Sequence, residues 1–317
     1  MKYINSLRLA IDNLIEEKNA YILGEDIADP YGGAFKVTKG LSGKYPHNVI
    51  ATPMSEQGFT ALSVGMALMG DYVIEEIMFG DFITLAADQL INHAAKFNDL
   101  YGQSMHLVLR TPSGGYRGYG ATHSQSLEKI FLGIPGLKVI AANVFTDPGE
   151  LLKYSIEQGM PTVFIENKLD YPRELLLEDF DIFRRTEEEG NVRIEIKEET
   201  SDWTIITYGG MSIFALEAVK KLIYEEEIAA EIIVVTDLSV EDPAFDLIRT
   251  EKVLVVEEGT EKFGWGCQIV STLISRGKKA WQLGALNSFI PSAKKAEEEV
   301  LVQAEDIAAC IVDKENL

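Results

Sequence analysis

The chain has 317 residues, 46% of them hydrophobic, and carries 29 basic against 50 acidic side chains for a formal net charge of −21. That length suits two domains of ordinary size, and that apolar share suits a globular protein with a real core. Such acidity argues against a nucleic-acid partner, which would call for clustered Lys and Arg, and fits a soluble chain or one that meets a basic partner. Cys267 and Cys310 are the two cysteines. They make no disulfide framework, so a cytoplasmic location is expected. The N-terminal stretch is amphipathic and carries acids, unlike a signal or transit peptide. No apolar run approaches the ~20 residues of a membrane span.

Residues 4–17 place Ile4, Leu7, Ile11, Leu14 and Ile15 at mostly helical spacing, which predicts a helix. A strand at 20–23 runs into Gly24-Glu25-Asp26, and 30–48 reads as a long loop with one helical turn. The stretch 51–82 organises what surrounds it. A strand ends near Ile50, Pro53 punctuates the turn, and a helix opens at Glu56 with Ser55 as its expected N-cap. Glu56 falls in the first turn, where the helix dipole favours a carboxylate. The helix reads as apolar nearly all round and therefore buried. A strand-like run at 72–79 follows, and Gly80-Asp81-Phe82 opens a second helix reaching about Tyr101. Ligands of open α/β sheets bind outside the carboxyl ends of the strands, so Glu56 and Phe82 can face one crevice.

A strand at 106–110 leads into the glycine-rich loop 113–120 and then Thr122-His123-Ser124-Gln125. The loop matches neither a phosphate loop nor a dinucleotide fingerprint; beside a histidine it can form a flexible wall of a site. Further strands are expected at 135–142 and 161–166, with a helix at 147–158 between them. The second half repeats the alternation, with strands at 203–209, 231–238, 252–259 and 280–283 and helices at 211–224, 265–274 and 305–312. The fold class is therefore α/β, with two domains, each a mostly parallel sheet with helices on both faces. The expected divisions are 1–185, an acidic linker at 186–200, and 201–317. No titratable constellation stands out in the second half, which reads as structural.

The series TPMSEQGF, the apolar Gly/Ala helix, GDF, RTPSGGYRGYGATHSQS at 110–126 and PGLKV at 135–139 closely resembles the beta subunit of thiamine-diphosphate-dependent 2-oxoacid dehydrogenases. The resemblance is densest from Gly24 to Glu166. It implies a transketolase-type pyrimidine-binding domain followed by a transketolase C-terminal domain. It also implies thiamine diphosphate as cofactor. Activating that cofactor needs a carboxylate hydrogen-bonded to its aminopyrimidine, and Glu56 is the candidate. Phe82 is the residue matched to stacking on the pyrimidine, and Glu25 is the acid near the cofactor's water network. Passing the acyl group to lipoyl needs a proton donor near neutral pH, which suits His123.

The magnesium site of this superfamily begins Gly-Asp-Gly. The nearest matches here, at 70–72 and 80–82, lack the second glycine. The expectation is therefore half an active site, with Mg2+ and the diphosphate held mainly by an alpha subunit in an α2β2 assembly. A lipoyl acyltransferase is the further partner and a small 2-oxoacid the substrate, with neither nucleic acid nor membrane as a partner. The alternatives are half of a split transketolase-like carboligase, or a non-catalytic scaffold homologue. The segments at 169–175 and 285–299 depart from the family pattern.

Overall fold

A computed structural model describes residues 1–188, 190–240 and 245–315. The chain forms two compact units, Met1–Ser113 with Ile130–Leu175, and Gly114–Lys129 with Leu176–Leu317.

The first unit opens with α1 (Tyr3–Lys18), β1 (Tyr21–Gly24), the short α2 (Leu41–Lys44) and β2 (Val49–Ala51). Then come α3 (Glu56–Leu68), β3 (Val73–Glu76), α4 (Ile83–Asp88), α5 (Ala95–Tyr101) and β4 (Leu107–Ser113). The unit closes with β5 (Lys138–Ala141), α6 (Pro148–Glu157) and β6 (Thr162–Asn167). Its six strands lie in the order β2-β1-β3-β4-β6-β5, and every pairing is parallel. Strands β3, β4 and β6 are buried along their whole length, as expected where helices cover a parallel sheet. The start of α6 is fixed by Asp147, whose carboxylate accepts the amides of Gly149 and Glu150 at 2.9 and 3.3 Å while Pro148 occupies the first turn; both devices satisfy or remove amides that the helix cannot pair.

Three expectations for this unit need correction. The helix α3 is not buried all round: Phe59, Thr60, Ser63, Val64 and Ala67 face inward, whereas Leu62 is 50% exposed. Ser55 occupies the N-cap position but makes no side-chain cap. The single helix expected from Asp81 to Tyr101 is instead a 3-10 turn at Gly80–Phe82, then α4, a π-helical segment at Gln89–Ala94 and α5. The polar residues there pair locally rather than in the core, with Asn92 donating to the exposed Asp88 at 2.8 Å.

The second unit holds β7 (Phe183–Glu188), β8 (Asn191–Ile196), β9 (Trp203–Tyr208), α7 (Met211–Glu225) and β10 (Ala230–Val235). It continues with β11 (Lys252–Thr260), α8 (Trp265–Ser275), β12 (Lys279–Ala285), α9 (Lys294–Val300) and α10 (Ala304–Glu315). The sheet order is β12-β11-β9-β10-β8-β7; the first four strands are parallel, while β8 and β7 join antiparallel. The stretch expected as an acidic linker at 186–200 is largely this hairpin, with residue 189 outside the described residues. Of the charges that suggested a linker, Arg184, Arg185, Glu187 and Glu188 sit on the edge strand β7, where ionic side chains discourage pairing with another chain, while Lys197, Glu198 and Glu199 follow β8 in a turn. Among the described residues no helix is long and apolar enough to cross a membrane, and both cysteines are free.

Candidate functional site

The carboxyl ends of β1, β2 and β3 lie side by side, because β1 pairs with both of the others and Gly24 aligns with Ala51 on one side and Glu76 on the other. Gly24 is needed there: a Cβ would stand 2.5 Å from the carbonyl oxygen of Glu76. Glu25 follows β1, Glu56 opens α3 a short turn after β2, and Phe82 ends the 3-10 turn after β3. Glu25 is only 8% exposed. Burial raises its pKa, the neighbouring Glu56 carboxylate raises it further, and a hydrogen bond from the Ser55 amide opposes both. The structure therefore brings Glu25 and Glu56 together. Glu25 Oε1 is buried without a hydrogen-bond partner, and the Glu56 carboxylate accepts no hydrogen bond among the described residues. Phe82, half-buried, is braced edge-on by Phe79 at 6.3 Å, and Phe79 in turn meets Phe35 edge-on at 5.9 Å.

Two carboxylates that the sequence reading passed over lie on β3. Glu75 is fully buried, and burial pushes its pKa up to about 7 against the partial opposition of Thr60. The Thr60 hydroxyl sits 2.5 Å from Glu75 Oε1 and 2.6 Å from the backbone oxygen of Glu56. One hydroxyl proton cannot serve two acceptors. Burial favours the protonated form of Glu75, and a proton donated from Glu75 to the Thr60 hydroxyl leaves that hydroxyl free to donate to the Glu56 carbonyl. Glu76, the next residue, meets an ion-pair network instead. Arg110 donates from Nε and Nη2 to the two oxygens of Glu166 at 2.7 and 2.6 Å, and from Nη1 to Glu76. Burial opposes the guanidinium charge, but the two carboxylates outweigh it and hold the Arg110 pKa above its ordinary value. Tyr171 adds a hydrogen bond to Glu166 at 2.7 Å. A signal for this pair was present in the sequence: two acids interrupt an otherwise apolar strand, where acids need partners.

His123 lies in the Gly114–Lys129 segment, which belongs to the second unit. Its backbone amide donates to the Gly120 oxygen at 3.2 Å, and the Thr122 hydroxyl stands 3.0 Å from its Nδ1. The second unit does contain a titratable group, contrary to expectation. Tyr208 donates to Glu128 at 2.6 Å, and Glu257 accepts the amides of Trp265 and Gly266 at the start of α8 at 3.1 and 2.9 Å. Burial raises both acids, Glu257 to about 7.

Two parallel-sheet units of this kind, with acids gathered at the strand ends of the first, define a transketolase-type chain. The family model of the transketolase pyrimidine-binding domain matches residues 1–174, and that of the transketolase C-terminal domain matches 192–307. The mitochondrial pyruvate dehydrogenase E1 component subunit beta-1 of Arabidopsis thaliana is 33% identical over 322 residues, covering 95% of this chain and 87% of its own. The corresponding beta subunit of Chlorokybus atmophyticus is 34% identical, covering 96% and 93%. The mitochondrial beta subunit of Saccharomyces cerevisiae is 34% identical, covering 83% and 73%. A solved split-gene transketolase, an inactive beta4 tetramer, shares the fold with a TM-score of 0.75 at 18% identity, covering 99% of this chain and 98% of that one. The chain belongs to the transketolase-type family that contains the pyruvate dehydrogenase E1 beta subunits.

Proposed function

We propose that this chain is the beta subunit of a thiamine-diphosphate-dependent 2-oxoacid dehydrogenase and contributes the pyrimidine half of its active site. The observation that carries this reading is the Glu25–Glu56 pair at the carboxyl edge of the first sheet, where Glu25 Oε1 is buried and unpartnered. A buried acceptor left unpaired costs about 1–3 kcal/mol; a polar ring edge seated there removes that cost. These residues fit an aminopyrimidine. Glu56 would accept its ring N–H and favour the imino tautomer, Phe82 would offer an aromatic face, and Glu25 would hold the adjoining polar atoms or water. Thiamine diphosphate, when bound, supplies the carbanion chemistry. His123 would donate a proton during acyl transfer to a lipoyl group.

The partner is an alpha subunit that holds the diphosphate and Mg2+, in an α2β2 assembly served by a lipoyl acyltransferase. The E1 beta names of relatives at about one-third identity over most of the chain support this. They also support the oxidative reaction over a carboligase half, which turnover of sugar phosphate without lipoyl would mark instead.

The test is calorimetric. Thiamine diphosphate with Mg2+ is titrated into this chain alone and into the chain co-expressed with its alpha-type neighbour. Binding only in the co-expressed sample is expected. Tight binding to the chain alone contradicts the divided site, and no binding in either contradicts the cofactor.

A further inference from the structure

The segment that carries His123 is fastened by buried acids of its own unit. The Gly115 amide donates to Glu258 Oε1 on β11 at 2.6 Å, and the Gly118 amide donates to Glu297 Oε2 on α9 at 2.9 Å. Glu258 and Glu297 are 6% and 1% exposed. Between these anchors the Tyr116 hydroxyl donates to the Val302 oxygen at 2.7 Å, and its ring stacks on Phe214 at a centroid distance of 4.6 Å. The fit is close: a Cβ on Gly115 would stand 2.4 Å from Leu301 Cδ1. Arg117, exposed, lies between the two anchored amides.

Hydrogen bonds that backbone amides donate to a carboxylate are the stronger kind. Two of them, three residues apart, remove backbone freedom from a stretch whose glycines would otherwise supply it. His123 follows five residues after the second anchor, with its own amide tied to Gly120.

We infer that Glu297 and Glu258 are positioning residues for His123: they clamp the glycine-rich segment by its amides and so set where the imidazole stands. The second unit then has a part in the chemistry besides structure and assembly. The catalytic half of this inference rests on the proposed role of His123; the clamp itself does not.

The experiment separates the two. The intact chain, and Glu297→Ala and Glu297→Gln variants, are digested briefly with trypsin, and cleavage after Arg117 is followed by mass spectrometry against cleavage after the exposed Arg276. Losing one such hydrogen bond is expected to raise Arg117 cleavage in Glu297→Ala about tenfold relative to Arg276. Glu297→Gln, which keeps an acceptor oxygen, returns most of the protection. Unchanged cleavage at Arg117, or an equal rise at both sites, overturns the clamp.

In the co-expressed complex, Glu297→Ala should lower lipoyl-dependent turnover about tenfold while thiamine diphosphate affinity changes less than twofold. A protected loop lost with no such fall in turnover overturns the positioning role. If the wild-type complex turns over no 2-oxoacid while the trypsin result holds, the proposed function fails, the positioning of His123 for acyl transfer fails with it, and the clamp stands.

Discussion

Two neighbouring carboxylates on β3 face opposite sides of the first sheet and meet different chemistry. Glu76 aligns across the ladder with Arg110, and Glu166 lies on the same face two residues further along; Arg110 is ion-paired with both. Glu75 turns toward α3, where the Thr60 hydroxyl meets it and that of Ser63 also favours its charged form. Burial raises the pKa of both acids; the Arg110 guanidinium opposes that rise at Glu76, while hydroxyls oppose it at Glu75. Acids of equal depth are thus held differently according to their partners. The consequence reaches the candidate site, because the hydroxyl that satisfies Glu75 also touches the backbone carbonyl of Glu56.

The contrast breaks most severely at Arg110. Arg110→Met leaves Glu76 and Glu166 buried without a counter-charge, and removing one partner of such a pair costs about 3–5 kcal/mol. That is a large part of an ordinary domain's stability, so thermal melts of the variant should show a deep fall or no cooperative transition. A melting point within a few degrees of wild type would mean that the network contributes little.

The next effect belongs to Glu75 and depends on pH. Its folded pKa, about 7, lies above the ordinary carboxyl value of 4.5. Its stabilising contribution is therefore complete below the unfolded value and is lost as pH rises through the folded one, at about 1.4 kcal/mol per pH unit between the two. Glu75→Gln cannot ionise and escapes that loss. Between pH 5.5 and 8 the urea stability of the variant should gain on wild type by roughly 2 kcal/mol. Parallel stability curves would show that Glu75 does not change charge in this range.

Thr60→Val is expected to give the smallest change. It strands the Glu75 proton without an acceptor and should cost about 1 kcal/mol by denaturant titration at pH 6. Added to Glu75→Leu it should cost less than it does alone, since leucine has already removed the hydrogen bond the two share; strict additivity would show that the bond carries no energy.

Much of the fold was legible because the short runs at 203–208 and 253–256, rich in β-branched and apolar residues, have the length and composition of buried parallel strands. The β7–β8 hairpin was not, because Arg184, Arg185, Glu187 and Glu188 mask it; the alternation of Val192, Ile194 and Ile196 was the signal. Glu56 could be placed at a helix start from Pro53 and the apolar run behind it. That Glu25 stands beside it depends on β1 and β2 being neighbours, which no local pattern records. The pairing of Glu76 with Arg110 depends likewise on register, and the anchoring of Gly118 by Glu297 joins residues 179 apart in sequence. Sequence periodicity reports faces and ends; it does not report which distant side chain arrives there.

The most direct measurement is the steady-state turnover of a 2-oxoacid by the reconstituted complex carrying Glu56→Gln, with thiamine diphosphate affinity measured in parallel. If Glu56 directs the aminopyrimidine, turnover falls by at least about 100-fold while the cofactor still binds. Full activity in the variant would contradict that role for Glu56.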